Sequence, residues 1–301
     1  MRPALLRFVL AAVLLSPAAA RAWLPEGHMA TGAMAYDVLA RRDKAALATV
    51  LRVMPAHPQW DRFAARLQGL DGAARDRRLF ELMTTWADEA RGGPFDHDDW
   101  HYSQTFASSF RHLVPFAFGG AEDAFRAQLA VARRGDAPAA DRAVALCWVM
   151  HIIGDMHQPL HATVWISFRF PLSDAGGNWA WVRRREGAAP ERLHFFWDAA
   201  GRDTGLSRAS PDGFVAELEA ALPFEAEPPV GDAVAAFDRW VAATRALSYE
   251  AVYERGAFRP GVSRGDAPVL SAEYVARTRT LGARQIGLAG NRMAGVLLGL
   301  R

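Results

Sequence analysis

Cysteine is nearly absent: Cys147 is the only one in 301 residues, so no internal disulfide framework can form. Long apolar runs are missing beyond the extreme N-terminus. The strongest later stretch, 286–300, is interrupted by Arg292 and rich in Gly and Ala, which marks a packed helix rather than a membrane span. A large charge of one sign is missing as well. The formal charge is +2, and residues 1–22 hold three arginines and no acid, so 23–301 carries −1. Overall basicity therefore gives no support to nucleic-acid binding, and any such function must rest on a local site. Repeats, low-complexity tracts and evident domain linkers are lacking too. Pro- and Gly-rich joints at 92–94, 171–177 and 256–268 read as loops within one domain.

What is present begins with an export leader over 1–22. Arg2 and Arg7 make its basic start, 8–15 a short apolar run, and Ala20-Arg21-Ala22 a small-x-small cleavage site. The run is too short to remain as a membrane anchor. The expected product starts at Trp23, reaches the periplasm or the medium, and is a monomer. Its 279 residues suffice for one full core.

Apolar residues at helical spacing dominate the rest. They predict helices over 27–42, from an Asp43 cap to about 54, and over 75–91, 121–134, 141–156, 214–222, 233–255 and 272–300. The segment 141–156 is the most apolar and is expected at the centre. The exception is 179–197, where two aromatic, β-prone arms flank Arg184, Glu186, Gly187 and Ala188, predicting a short hairpin. The expected class is all-α, a single helical domain over 23–301 with that hairpin.

Nine histidines are spread along the chain, and the densest run is His151-Ile-Ile-Gly-Asp155-Met-His157-Gln-Pro-Leu-His161. Residues four apart on a helix share a face, so His151 and Asp155 can hold one ion. Imidazole nitrogen and carboxylate oxygen are the usual ligands of hydrolytic zinc, so the run reads as part of a multi-metal hydrolase. His157 faces the far side and reads as a supporting or core residue. Pro159 ends the helix, so His161 emerges from the next segment and can reach another ion. His194 and Asp198 repeat the four-residue spacing, with an amphipathic helix start as the plainer alternative. Asp88 and Arg91 share a face as a salt bridge or as a ligand beside a phosphate-contacting arginine. His101 is a candidate ligand from a loop, with His97 and Asp98 as competitors. His57 and His112 lack acidic company and read as structural or solvated. A free amine at Trp23, together with its carbonyl oxygen, could chelate a metal with His28. Cys147, four before His151, could reach the same ion but reads as a small buried hydrophobe.

Six motifs occur in one order: Trp23-x-x-x-Gly27-His28, Trp86-Ala87-Asp88-x-x-Arg91, Trp100-His101-Tyr102, His151-x-x-x-Asp155-x-His157-Gln158-Pro159-Leu160-His161, Asp174-x-Gly176-Gly177-Asn178 and Leu193-His194-x-x-Trp197-Asp198. Together they resemble the trinuclear-zinc, single-strand-specific nucleases, the nuclease S-one and P-one family. The resemblance implies the all-α fold of the phospholipase C and P-one type and three zinc ions. Asp88, His101, His151 and Asp155 would bind one ion, and His161, His194 and Asp198 a second. Trp23 and His28 would bind the third, with Asp155 as a bridge. Arg91 would contact phosphate. Tyr102 would stack a base, with Gln104 and Asn178 also facing substrate. Activity on single-stranded DNA and RNA to 5′-phosphate products is implied, with removal of 3′-phosphates from nucleotides. A metal-bridged water that loses its proton near neutral pH would attack phosphorus in line. Familiar members hold a base with aspartate where Gln104 stands, and they carry disulfides that this chain cannot form. The rival readings are a zinc phospholipase C acting on lipid head groups, and a non-catalytic secreted zinc-binding protein.

Overall fold

The computed structural model describes residues 23–108, 117–200, 202, 213–214, 216–217 and 231–300. Its helices are α1 (Pro25–Arg42), α2 (Lys44–Val53), α3 (Trp60–Arg66), α4 (Gly72–Glu89), α5 (Ala121–Arg133), α6 (Ala139–Asp155), α7 (Pro159–Ala162), α8 (Leu193–Asp198), α9 (Ala233–Leu247) and α10 (Ala272–Leu297). The strands are β1 (Gln104–Ser108), β2 (Ala117–Phe118), β3 (Thr163–Ile166), β4 (Trp181–Val182) and β5 (Glu191–Arg192). The all-α expectation with a short β element is met.

Local chemistry explains the helix ends. Pro25 opens α1, where its fixed φ fits the first turn and its missing N–H costs nothing. Arg41 and Arg42 close it beside the negative end of its dipole. Asp43 caps α2 as expected, accepting from the Ala45 and Ala46 amides at 3.0 Å each. Helix α6 is buried on every side from Ala145 to Asp155 and occupies the centre. Helix α1 packs against α4 and α10. The α1–α4 crossing is close enough that a Cβ on Gly32 would lie 2.5 Å from the Phe80 carbonyl oxygen.

Three apolar clusters result. The largest joins Leu39, Phe80, Trp86, Phe125, Trp148 and Phe237 across α1, α4, α5, α6 and α9. A second joins Leu160, Trp165, Val182, Phe196, Trp197 and Tyr274. A third, smaller cluster joins Trp23, Ala30, Phe214 and Ile286.

Two expectations need adjustment. The hairpin exists, but its paired arms are only β4 and β5; the remainder of the second arm is α8. Leu193, Phe196 and Trp197 lie at helical spacing and bury one face completely, which overrides their β propensity. The helix expected over 233–255 stops at Leu247, continues as a π turn over Ser248–Val252, and breaks where Glu254 and Arg255 take φ of 48° and 55°. Most of 214–222, and His112, lie outside the described residues. Two features went unforeseen: α3, and the sheet in which β1 lies between antiparallel β2 and parallel β3. Among the described residues no helix is long and apolar enough to cross a membrane.

His57 is structural. Its ring packs on Phe63 and Trp86 at centroid distances of 5.0 and 4.7 Å, and its Nδ1 accepts from the Gln59 amide at 3.0 Å. Burial pushes its pKa down from 6.5 to about 4. The imidazole is therefore neutral in the fold, while the unfolded chain takes up the proton first as pH falls. Stability contributed here is lost from about pH 6.5 downward and levels off near pH 4. Urea midpoints measured across this window should fall less steeply in His57→Asn than in the wild type; parallel curves would contradict this role.

Candidate metal centre

The histidines and aspartates converge from six segments. His28 comes from the second turn of α1, and Asp88 from the last turn of α4. His101 ends a 3-10 turn over Asp98–His101. His151 and Asp155 project from α6, His161 from α7, and His194 with Asp198 from α8. All are buried except Asp88, whose side chain is 9% exposed.

Asp155 is the hub. Its Oδ2 lies 3.0 Å from His101 Nδ1 and 3.1 Å from His151 Nε2. Its Oδ1 faces His28 Nε2 at 3.2 Å. His101 Nδ1 and His151 Nε2 are 2.9 Å apart, and Asp88 Oδ1 is 3.9 Å from His101 Nδ1. The rings of His28 and His151 stack at 4.5 Å. Ligand atoms fall into three groups, each within 4.8 Å internally: His28, Asp88 and His151; His101, His151 and Asp155; and His161, His194 and Asp198. In the last group His161 Nε2 and His194 Nε2 are 3.1 Å apart, and Asp198 Oδ1 is 3.5 Å from His194 Nε2.

Backbone carbonyls set the ring orientations. A carbonyl only accepts, so the nitrogen facing it must carry the proton, which leaves the other nitrogen as a lone-pair donor. His151 Nδ1 donates to Thr84 O at 2.7 Å, His161 Nδ1 to His101 O at 2.5 Å, and His194 Nδ1 to Gly176 O at 2.6 Å. In each case Nε2 is turned inward. Gln158 does the same for a carboxylate: its Nε2 donates to Asp198 Oδ1 at 2.6 Å while its Oε1 accepts from the Leu160 amide at 2.5 Å. Asp174 secures the turn beneath His194. It accepts from the Trp165 and Gly176 amides at 2.7 and 3.1 Å and from the Tyr253 hydroxyl at 2.8 Å. Burial pushes its pKa up to about 6. Thr84, Gln158 and Asp174 as positioning groups were missed by the reading of single candidates. Gln158 and Asp174 did stand in the quoted motifs, whereas a backbone carbonyl leaves no signature in sequence.

Among the protein groups alone the cluster is strongly polarised. Burial opposes charge on Asp155, but His151 and the close contacts of His101, His151 and His28 outweigh it and hold the carboxyl well below the usual range. Burial likewise opposes charge on His151, yet Asp155 and Asp88 push it up to about 9. Asp198 is raised well above an ordinary carboxyl, chiefly by burial and further by Asp88 and Asp155.

The donor set fits metal ions. His28 Nδ1 and Nε2, His101 Nε2 and Asp155 Oδ1 are buried without a hydrogen-bond partner. The 3.2 Å approach of His28 Nε2 to Asp155 Oδ1 is an electrostatic contact, not an aligned hydrogen bond. Each orphaned polar atom costs about 1–3 kcal/mol unless something else binds it. Imidazole nitrogens with carboxylate oxygens suit a divalent ion of the zinc type.

The remaining candidates sort clearly. Trp23 is fully buried, its indole donates to Gly154 O at 3.0 Å, and the Leu24 amide donates to Asp198 O at 3.1 Å. Trp23 and Leu24 thus touch the two helices that carry the His151–Asp155 and His194–Asp198 pairs. Arg91 Nε contacts Asp88 Oδ1 at 3.2 Å and its Nη1 contacts Asp98 Oδ1 at 2.5 Å. Tyr102 follows His101 and is half-buried. Gln104 and Asn178 each spend an amide donor on backbone, on Leu160 O at 2.7 Å and Ala175 O at 3.0 Å. His97 stacks on Trp100 at 3.7 Å instead of joining the cluster. His157 donates to Ile153 O and accepts from Arg292, so both nitrogens are used. Cys147 is a buried free thiol in the large apolar core.

Gly154 is fixed by this packing. A Cβ there would lie 2.8 Å from His28 Nδ1, so Gly154→Ala must push the imidazole away from Asp155. Elemental analysis should find less bound divalent metal in Gly154→Ala, with helical circular dichroism retained; undiminished metal content would show that the His28 position is not critical.

The same residues that build the clusters lie inside the region picked out by comparison with known proteins. The S1/P1 nuclease family model matches residues 23–300. No curated protein matches the chain. The chain belongs to the S1/P1 nuclease family, and its activity is that of a nuclease, a hydrolase of phosphodiesters.

Proposed function

We propose that this nuclease is exported, loses residues 1–22, binds three zinc ions, and hydrolyses single-stranded DNA and RNA to 5′-phosphate products, with 3′-nucleotidase activity. The observation that carries the reading is Asp155: fully buried, with Oδ2 turned to His101 and His151 and Oδ1 to His28. A carboxylate so divided suits a bridge between two ions. In this reading Asp88, His101, His151 and Asp155 hold one zinc, and His161, His194 and Asp198 a second. Trp23, His28 and Asp155 hold the third. The burial of Trp23 beside Gly154 and Asp198 supports a terminal amine at that point.

Zinc, when bound, supplies Lewis acidity toward phosphoryl oxygen and acidifies water near neutral pH. Arg91 presents a guanidinium, held by Asp88 and Asp98, that contacts phosphate and offsets charge growing on its oxygens. No described side chain is poised as the nucleophile: Ser103 donates to Glu122, and the Cys147 thiol is pushed well above its usual pKa by burial. Water is therefore the attacking group. The ligands are recessed, so a flexible strand can lower one phosphate to them, which a rigid duplex cannot. Tyr102, half-buried next to His101, offers a ring for base stacking.

The zinc-loaded chain starting at Trp23 should cleave single-stranded DNA, RNA and 3′-nucleotides and leave phosphatidylcholine intact. Release of phosphocholine without cleavage of nucleic acid would favour the lipase reading. Activity that survives exhaustive chelation would sink the zinc assignment. Asp155→Ala should be inactive and lose more than one zinc per chain, and full zinc content in this variant would refute the bridge. A single extra residue before Trp23 displaces the free amine, so such a protein should lose about one zinc and most of its activity. Wild-type stoichiometry in that protein would rule out the N-terminal ligand.

A further inference from the structure

Outside the metal centre, the arginine-rich face beside α8 stands out. Strand register sets Trp181 opposite Arg192. On its other edge Trp181 bridges Gly261, and Arg183 bridges Val269. The Arg192 guanidinium carbon lies 4.8 Å from the Trp181 ring centroid, and that of Arg264 lies 5.2 Å from it. Two guanidiniums thus share one indole. Cation–π contact fixes such a plane while its edge N–H groups remain available for phosphate. Among the described residues Arg183, Arg192 and Arg264 make no ion pair. Two acids of the same elements are already taken. Glu191 is held by Arg184 through two contacts, of 2.7 and 2.5 Å. Asp266 is held by Arg169 and by the Val262 and Ser263 amides. Arginines gathered on one ring repel one another, and their complement is a chain of anions. The Arg169–Asp266 pair also brings in the loop that carries Phe168, whose ring is 90% exposed. Guanidiniums that follow a backbone, beside an open aromatic ring, are the two elements that bind single strands without sequence preference. Arg192 stands two residues before His194, at the end of β5 where the chain enters α8.

We propose that the face formed by Trp181, Arg183, Arg192 and Arg264, with Phe168 beside it, is a second binding surface for single-stranded polynucleotide, gripping backbone phosphates beyond the scissile one. The proposal rests on the single-strand reading above, and binding can be separated from cleavage. The zinc-loaded protein is titrated with a labelled strand of about 20 nucleotides whose phosphorothioate linkages resist hydrolysis. In Arg192→Ala/Arg264→Ala the Kd should rise about tenfold, and the slope of log Kd against log salt should become shallower by about 1.4, about 0.7 for each phosphate no longer neutralised. Turnover of a dinucleotide should not change. Arg264→Ala alone, on an exposed turn, guards against a folding defect and should give about half of the slope change. Unchanged Kd and slope in both variants would overturn the proposal. So would loss of binding to phosphatidylglycerol vesicles with strand binding intact, which would make the surface a lipid contact. Failure of the wild type to cut an ordinary phosphodiester strand would count against the single-strand reading alone.

Discussion

Asp155 is the constraint around which the rest is arranged. A fully buried carboxylate is tolerated only when each oxygen meets a compensating group. Here one oxygen faces His101 and His151 and the other faces His28, at 3.0 to 3.2 Å. These partners come from α1, from the turn after α4 and from α6 itself. The helices must therefore cross near one point, and the chain provides for this with small residues. Gly32 lets α1 approach α4, and Gly154 leaves room for the His28 ring one residue before Asp155. Removing one member of such a buried group costs about 3–5 kcal/mol, because the others are left uncompensated. The ligand set is thus also a cross-link in a chain that has no disulfide.

Charge is concentrated locally in a chain whose total is nearly neutral. The basic residues that matter are placed by aromatic and acidic neighbours. Arg91 is steered by Asp88 and Asp98, whereas Arg192 and Arg264 are steered by Trp181. A carboxylate partner partly cancels a guanidinium, while an indole holds it in position and leaves its charge intact. The first arrangement suits a group that must stand beside metal ligands. The second suits a surface that meets a polyanion.

The legibility of the site followed the range of each interaction. Spacing of four on one helix was enough to pair His151 with Asp155 and His194 with Asp198, because that geometry is local. The choice among His97, Asp98 and His101 was not local. It is made by Trp100, which takes the His97 ring in a stack, and by Arg91, which takes Asp98. The carbonyls of Thr84, His101 and Gly176 that orient three imidazoles could not be read at all, since every residue has one. The same limit hid the parallel pairing of β1 with β3, which joins segments almost sixty residues apart through strands too short to show alternation. At 193–198 two periodicities competed, and complete burial of Leu193, Phe196 and Trp197 settled the contest in favour of a helix.

The three apolar clusters explain why the ligands can be held without disulfides. Ile152, Ile153 and Met156 anchor His151 and Asp155 in the large core. Leu160, Leu193, Phe196 and Trp197 anchor His161, His194 and Asp198 in the second. Trp23 and Ala30 flank His28 in the third. The candidate ligands are therefore seated on three packed clusters, and His28, Asp88 and His151 form one group across two of them. Close-packed interiors resist sub-ångström shifts, so a set cannot drift without opening a cavity. Relative motion between cores would instead change the distances across the centre. Asp155 on the first core and His28 on the third are in contact. The Leu24 amide, next to Trp23 of the third, is bonded to Asp198 of the second. The third core thus touches both of the others, which are also joined directly where His161 Nδ1 donates to His101 O at 2.5 Å and the Gln158 amide donates to Asp155 O at 2.9 Å.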